Sequence, residues 1–140
     1  EGHALLETAA MVESLRDRTG IVFSVDDMDN LRKSGRLGIV RQSVGTILNI
    51  RPILMCQDGG IISSGTARGK YNQINELLRR VPGSAGALIV NYLVYPEKAQ
   101  LIINELRRRF PNAEIKLMRL GPVLGIHLGV DTVGISWLEN

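Results

Sequence analysis

The sequence predicts an α/β domain with two layers, in which helices pack against one mixed sheet of about six strands. Short apolar segments rich in β-branched residues alternate with longer segments whose apolar residues recur at helical spacing. The motif Asp58-Gly59-Gly60 between two apolar segments predicts a tight hairpin, which places an antiparallel pair in the sheet. The 140 residues, of which 44% are hydrophobic, suit one domain with an ordinary core.

The predicted strands are short, carry β-branched residues and are flanked by turn residues. Pro52 is acceptable near the start of its strand because proline lacks the backbone N–H that a strand ladder uses. The predicted strands are residues 21–25, 50–56, 61–67, 87–93, 114–120 and 132–138.

Helices are predicted where apolar residues fall on one face. In the clearest case Pro96 opens the helix, a position that proline favours. The core stripe of that helix is Ala99, Ile102, Ile103 and Leu106. The predicted helices are residues 4–18, 26–33, 37–48, 70–81, 96–109 and 123–127.

Composition and cysteine content indicate the cellular context. No apolar run approaches the roughly 18 residues of a membrane span, and the first residues lack the features of a signal peptide. The single cysteine, Cys56, rules out an internal disulfide and suits a reducing compartment, so we expect a cytoplasmic protein. Because Cys56 lies in an apolar run, we expect a buried strand thiol rather than a reactive one. The chain opens without methionine inside a predicted helix, so we expect it to be a piece of something larger.

The positive charge is modest in total but clustered. The net charge is +3, and arginines occupy residues 79–80 and 107–109, at the C-terminal ends of predicted helices. Cations complement the helix dipole there, which is the structural interpretation. The same clusters keep open an alternative function, a regulatory domain that binds nucleic acid or another anionic partner. Aromatic residues make up only 4% of the chain, which argues against single-stranded nucleic acid.

The sequence contains no complete catalytic or metal-binding motif. With one cysteine there is no cysteine zinc site, and the glycine patterns that bind phosphate or dinucleotides are missing. Asp26, Asp27 and Asp29 are interpreted as residues that cap and open a helix, with Asp26 as the cap, rather than as metal ligands. We therefore expect a binding protein without metal or cofactor. An enzyme that acts on an anionic substrate, through a domain outside this chain, is a third hypothesis.

Three polar residues are candidates for the site because each lies beside a glycine or a glycine-rich turn at the edge of an apolar element. Arg36 follows a glycine, Arg68 precedes one, and His127 ends a short apolar helix. Charges at element junctions are well placed to bind anionic ligands. Arginine offers forked donors to a carboxylate or phosphate, and histidine donates to a carboxylate near neutral pH. Each residue alone also suits a structural role, as a surface arginine that caps a helix or a satisfied core histidine.

The most specific motifs lie between residues 23 and 68. The pattern Val-Asp-x-x-x-x-Leu-x-Lys-x-Gly-Arg is followed by Leu-x-Ile-x-Pro-Ile-Leu, then by Asp-Gly-x-Ile and by Ala-Arg. Together they resemble the DegV family of bacterial fatty-acid-binding proteins, and the resemblance covers most of the chain. It places Arg36 on the family's Gly-Arg turn, Arg68 on its arginine after the hairpin, and His127 on the histidine of its C-terminal motif.

The resemblance implies a ligand and a partner. Members of the family have two α/β domains and bind one long-chain fatty acid at the domain junction. The chain, residues 1–140, is therefore expected to be the second domain, with the first absent. The bound acid is presented to a partner kinase, related to dihydroxyacetone kinases, for phospholipid synthesis. The resemblance assigns Arg36, Arg68 and His127 to the lipid head group or to the kinase-facing surface, with His127 helping to hold the carboxylate.

The chain departs from the family pattern in three places. Ser34 stands where the family usually has a glycine, and after His127 the chain reads Leu-Gly-Val-Asp instead of Thr-Gly-Pro-Gly. The first domain, which carries serine and threonine contacts to the carboxylate, is missing. An isolated second domain would expose half of an apolar tunnel, so we expect self-association or lipid scavenging.

Overall fold

The structure, a computed structural model, describes residues 2, 4–26, 28–33, 35 and 50–140. Its helices are α1 (Leu5–Leu15), α2 (Asp29–Lys33), α3 (Gly69–Arg79), α4 (Pro96–Arg109) and α5 (Pro122–Leu128). Its strands are β1 (Thr19–Ser24), β2 (Ile50–Gln57), β3 (Gly60–Arg68), β4 (Ala85–Tyr92), β5 (Glu114–Arg119) and β6 (Val133–Glu139). The helix predicted at residues 37–48 lies outside the described residues.

The strands form one mixed sheet in the order β3-β2-β1-β6-β4-β5. Strands β4 and β5 pair in parallel, while the other neighbouring strands pair antiparallel. The predicted hairpin is present: β2 and β3 pair from Gln57 and Gly60 to Ile50 and Arg68. The predicted fold class, an α/β domain with one mixed sheet of six strands and helices packed against it, is therefore confirmed.

Helices α3 and α4 cover one face of the sheet. The four residues of the predicted α4 stripe are all buried, and so is Leu77 of α3. They pack against strand residues that point to the same side, among them Val22, Ile53, Leu88, Val90, Ile135 and Trp137. The main hydrophobic core therefore lies between this helical layer and the sheet.

The described residues cover the opposite face of the sheet only in part. Side chains alternate along a strand, so Phe23 and Leu54 point away from the main core. They form a smaller cluster with Val25 and with Leu31 of α2, and Leu128 of α5 packs against it. We call this group the second-face cluster. Three further apolar residues with the same orientation are only half-buried: Ile21, Ile89 and Leu138.

Two predictions about the first elements need correction or qualification. Helix α2 begins at Asp29, so Asp26 does not cap it. The carboxylate of Asp26 instead pairs with Arg51 and Lys98. Helix α1 forms where it was predicted, but none of its residues is buried by the described part of the chain. Its leucines Leu5 and Leu6 are both largely exposed.

The prediction for Cys56 is wrong, because its side chain is exposed. Strand β1 pairs with β2 only as far as Met55, one residue before the cysteine. Cys56 still pairs with Ile61 in β3, but it extends beyond the part of β2 that the neighbouring strand covers. The apolar run therefore continues one residue past the buried part of the strand.

Candidate functional site

His127 lies in the last turn of α5, and its ring is half-buried. The Nδ1 atom of the ring is shielded from solvent and has no hydrogen-bond partner among the described residues. Leaving a buried polar atom unpaired costs about 1–3 kcal/mol, and most such atoms in folded proteins find a partner. An acceptor or donor supplied by a ligand would remove this cost, which makes His127 a candidate binding residue.

A glycine at the end of α5 allows this helix to lie close to α2. Gly129 ends the helix with a φ of 87°, a backbone conformation that other residues rarely adopt. A Cβ atom at Gly129 would also collide with the side chain of Asn30 in α2. The close approach brings α5 beside α2, and Leu128 completes the second-face cluster. His127 is therefore adjacent in sequence to a residue that packs against buried apolar side chains.

Arg68 is the last residue of β3, and its side chain is exposed. Within the described residues it makes no hydrogen bond or ion pair. It lines a polar groove of about 560 Å³ along α3, together with Asn72, Glu76, Arg79 and Arg109. The guanidinium is thus available to an anionic ligand or to a partner surface.

The structure brings Arg68 and His127 to the same end of the sheet. Arg68 pairs with Ile50 beyond the end of β1, and α5 directly precedes β6, whose first residue Val133 pairs with the last residue of β1. Strand β3 is, however, separated from β6 by β2 and β1. Arg36 lies outside the described residues. The assignment of the three side chains to the head group or to the kinase-facing surface stays a prediction.

A buried polar network, which the sequence reasoning missed, lies at this same end of the sheet. Asp26 Oδ2 lies 3.2 Å from Arg51 Nη2, and Asp26 Oδ1 accepts hydrogen bonds from Lys98 and, at 3.1 Å, from Gln73. Gln73 is fully buried and also donates to Ser24 Oγ, at 2.8 Å. The network joins β1, β2, α3 and α4, so it fixes the point at which the chain leaves β1.

A second missed feature is an apolar groove of about 580 Å³ between α5 and the turn after β4. We call it the α5 groove. Its lining includes Leu93, Val94, Ile126 and Val130, with Arg119 as its charged residue. Arg119 ends a strand and precedes the Gly-Pro that opens α5. That is the same junction criterion that singled out Arg36 and Arg68, so the sequence contained a signal for it.

The predicted arginine clusters do end the two long helices. Arg79 is the last residue of α3, and residues 107–109 form the last turn of α4. Arg109 donates to the carbonyls of Leu78 at 2.6 Å and Val81 at 3.0 Å, which supplies partners to the end of α3. Arg79 and Arg108 pair with glutamates one turn earlier. These contacts support the interpretation of the clusters as helix-terminating residues.

Among the described residues, no group of three histidine, cysteine or carboxylate side chains is arranged to hold a metal ion. None of the helices formed by those residues has the length and apolar character needed to cross a bilayer.

Comparisons with known proteins place these features in a family. The family model described as "Uncharacterised protein, DegV family" matches residues 1–140. A DegV domain-containing protein from Halalkalibacterium halodurans is 30% identical over 131 residues, which cover 90% of this chain and 46% of that protein. The chain thus spans about half the length of the curated relatives it matches.

Two solved structures have the same fold and are at least 25% identical to the chain over the aligned residues. One, described as fatty acid binding of a DegV family protein from Thermus thermophilus, has a TM-score of 0.83 and 27% identity. It matches 99% of this chain and 52% of that protein. The other, DegV, a fatty acid binding protein from Bacillus subtilis, has a TM-score of 0.80 and 25% identity, over 98% of this chain and 50% of that protein.

Proposed function

Because the chain belongs to the DegV family, we propose that it forms part of a site for one long-chain fatty acid. The acyl chain lies against the second-face cluster, and the carboxylate reaches the ring of His127. The observation that carries this proposal is the unpartnered, buried Nδ1 atom of His127, next to a residue that packs on that cluster. The fatty-acid binding named for the Thermus thermophilus and Bacillus subtilis relatives supports the choice of ligand.

The acyl chain and the carboxylate head group are expected to contribute differently to the binding free energy. Burial of an acyl chain contributes roughly 0.8 kcal/mol for each methylene removed from water, so the chain supplies most of the affinity. A histidine that donates to a carboxylate contributes about 1.5–3 kcal/mol at most and fixes the orientation of the head group. Half-buried apolar residues on the second face, such as Ile21 and Ile89, give the chain further surface to cover.

We further propose that the bound acid is presented to a fatty-acid kinase for phospholipid synthesis, in the cytoplasm, and that the chain itself is not an enzyme. The resemblance in sequence assigns Arg36 and Arg68 to the head group or to the kinase-facing surface. The exposure of Arg68 and its lack of a partner among the described residues agree with a contact to an anionic group. The partly uncovered second face favours self-association of the chain when no other surface covers it.

The alternative, a regulatory domain that binds nucleic acid or another anionic partner, has less support. Four of the five clustered arginines already contact carboxylates or carbonyls of the chain itself: Arg79, Arg80, Arg108 and Arg109. A gel shift at low salt tests this alternative, because phosphate contacts weaken steeply as salt rises.

Native mass spectrometry of the protein, expressed in bacteria from its complete natural reading frame, tests the leading proposal. We expect one co-purifying long-chain fatty acid per protein. The variant His127→Ala should retain about tenfold less of it, since a charge-assisted hydrogen bond is lost. Lys116→Ala, a change of an exposed lysine on β5, is the control and should retain the wild-type amount. If no fatty acid co-purifies with the wild type, the assignment of the ligand is wrong. If His127→Ala retains as much fatty acid as the wild type, the assignment of His127 is wrong.

A further inference from the structure

The α5 groove is formed by a close contact between α5 and the end of β4. A Cβ atom at Gly125 would lie 2.7 Å from Leu93 Cδ2, so the glycine allows the helix to rest on this leucine. Beside the contact, Val94, Ile126 and Val130 remain exposed, with Ile126 at 71%. Soluble proteins seldom leave several large apolar side chains exposed around one concave surface without a ligand or partner for it.

Among the described residues that line the groove, Arg119 carries the only charge, which is positive. Its Nε atom donates to the carbonyl of Leu93 at 3.0 Å, which fixes the guanidinium at the edge of the groove. The two Nη groups have no partner among the described residues, and no carboxylate lines the groove. A guanidinium held in this way presents paired donors that match the geometry of a carboxylate.

The α5 groove is separate from the fatty-acid site proposed above. Gly125 and Ile126 face the groove, whereas Leu128 packs on the second-face cluster. His127 does not line the groove. Helix α5 therefore has an apolar surface on each of two sides, and each surface lies near a different polar residue.

We propose that the α5 groove binds a second amphiphile, an aliphatic carboxylate, with its chain along the apolar lining and its head group on the Nη atoms of Arg119. The volume of about 580 Å³ falls within the roughly 300–1,000 Å³ of small-molecule sites. The occupant follows from charge complementarity: the lining is apolar and its only ionisable side chain, among the described residues, is a cation. This site operates independently of His127.

The test is a titration with decanoate, observed through the methyl signals of the protein from its complete natural reading frame. The methyls of Val94, Ile126 and Val130 should shift, both in the wild type and in His127→Ala. The variant Arg119→Gln should weaken binding at these methyls about tenfold, because it removes the charge. Arg119→Lys, which keeps the charge, should retain part of the affinity. Lys116→Gln on the same strand is the control and should leave the affinity unchanged.

Decanol provides a second readout that a merely structural role of Arg119 would not change. The wild type should prefer decanoate to decanol by about tenfold, and Arg119→Gln should lose that preference while it still binds decanol. Shifts confined to Leu54 and Leu128 would overturn the second site and leave the proposed fatty-acid site standing. Shifts at no methyl would contradict both. If another part of the protein covers the groove, its methyls will not respond to decanoate and the proposal fails.

Discussion

On one face of the sheet, α3 and α4 bury a continuous core in which Leu77, Ile102 and Leu106 are fully removed from solvent. On the other face, α2 and α5 cover one end, and the remaining apolar side chains are half-buried or exposed. The strands contribute similar aliphatic residues to both sides. Among the described residues, the difference therefore lies in the helices: α3 and α4 bury the main core, whereas α2 and α5 leave part of the second face uncovered.

The polar groups of the two sides differ in the contacts they make. On the covered side, Asp26 accepts hydrogen bonds from Gln73 of α3 and from Lys98 of α4. On the α5 side, His127 Nδ1 is buried without a partner and the Nη groups of Arg119 are unpaired among the described residues. Arg51 Nη1 and Gln73 Oε1 on the covered side are also buried without a partner among the described residues, so it is the combination of unpaired polar atoms with exposed apolar surface that favours a ligand on the α5 side.

The comparison predicts the largest effect for a matched pair of leucines. Leu106→Ala, in the core beneath α4, should lower the free energy of unfolding by about 2–5 kcal/mol because it leaves a cavity. Leu124→Ala removes the same atoms from α5, where the side chain is 44% exposed, and should cost less than about 1 kcal/mol. Urea denaturation measures both. Equal losses would show that the two helical layers stabilise the fold alike, and the comparison would fail.

Asp26→Asn should have the next largest effect, because it leaves Arg51 and Lys98 with an uncompensated positive charge in a largely buried network. We expect a loss of about 1–3 kcal/mol in the free energy of unfolding. The control is Glu105→Gln, which breaks the exposed ion pair with Arg108 and should change stability by less than about 1 kcal/mol. If Asp26→Asn lowers the free energy of unfolding no more than the control does, the network does not contribute to the stability of the covered side.

The parts of the fold that depend on local patterns could be predicted from the sequence. The α4 stripe follows from helical spacing within residues 96–109, and the β2–β3 hairpin follows from its turn residues. Each signal comes from residues that are close together in the sequence, so it can be recognised without knowledge of the tertiary structure. Such local patterns do not indicate which face of the sheet each helix covers.

The polar contacts could not be predicted, because their partners are far apart in the chain. Asp26 was interpreted as a helix cap from its neighbours, whereas its partner Lys98 is 72 residues away. Gln73 lies on a helix whose buried face was read from its apolar residues alone, yet its amide is fully buried beside Ser24. The sequence located His127 at the end of a short apolar helix but could not show that its Nδ1 atom is buried without a partner among the described residues.

The smallest predicted effect concerns the edge of the covered side, where polar and charged contacts add to the packing between α3 and β3. Arg80 bonds Glu76 at 2.7 Å and Ser64 at 2.6 Å. The hydrogen bond from Arg80 holds the pKa of Glu76 below its usual 4.5; burial opposes this shift, and the charges of Arg79 and Arg80 add to the lowering. Because the folded pKa is the lower one, the carboxylate stabilises the fold fully above pH 4.5 and loses this contribution as the pH falls through the folded value.

Glu76→Gln should therefore be less stable than the wild type at pH 7, by about 0.2–1 kcal/mol for a partly exposed pair. The difference should shrink in acid, because protonation then removes the same charge from the wild type. Thermal unfolding of both proteins between pH 3 and pH 7 measures it, with Glu105→Gln again as the control. A difference that stays constant or grows in acid would mean that Glu76 acts through packing, and that the edge of the covered side is held in the same way as its centre.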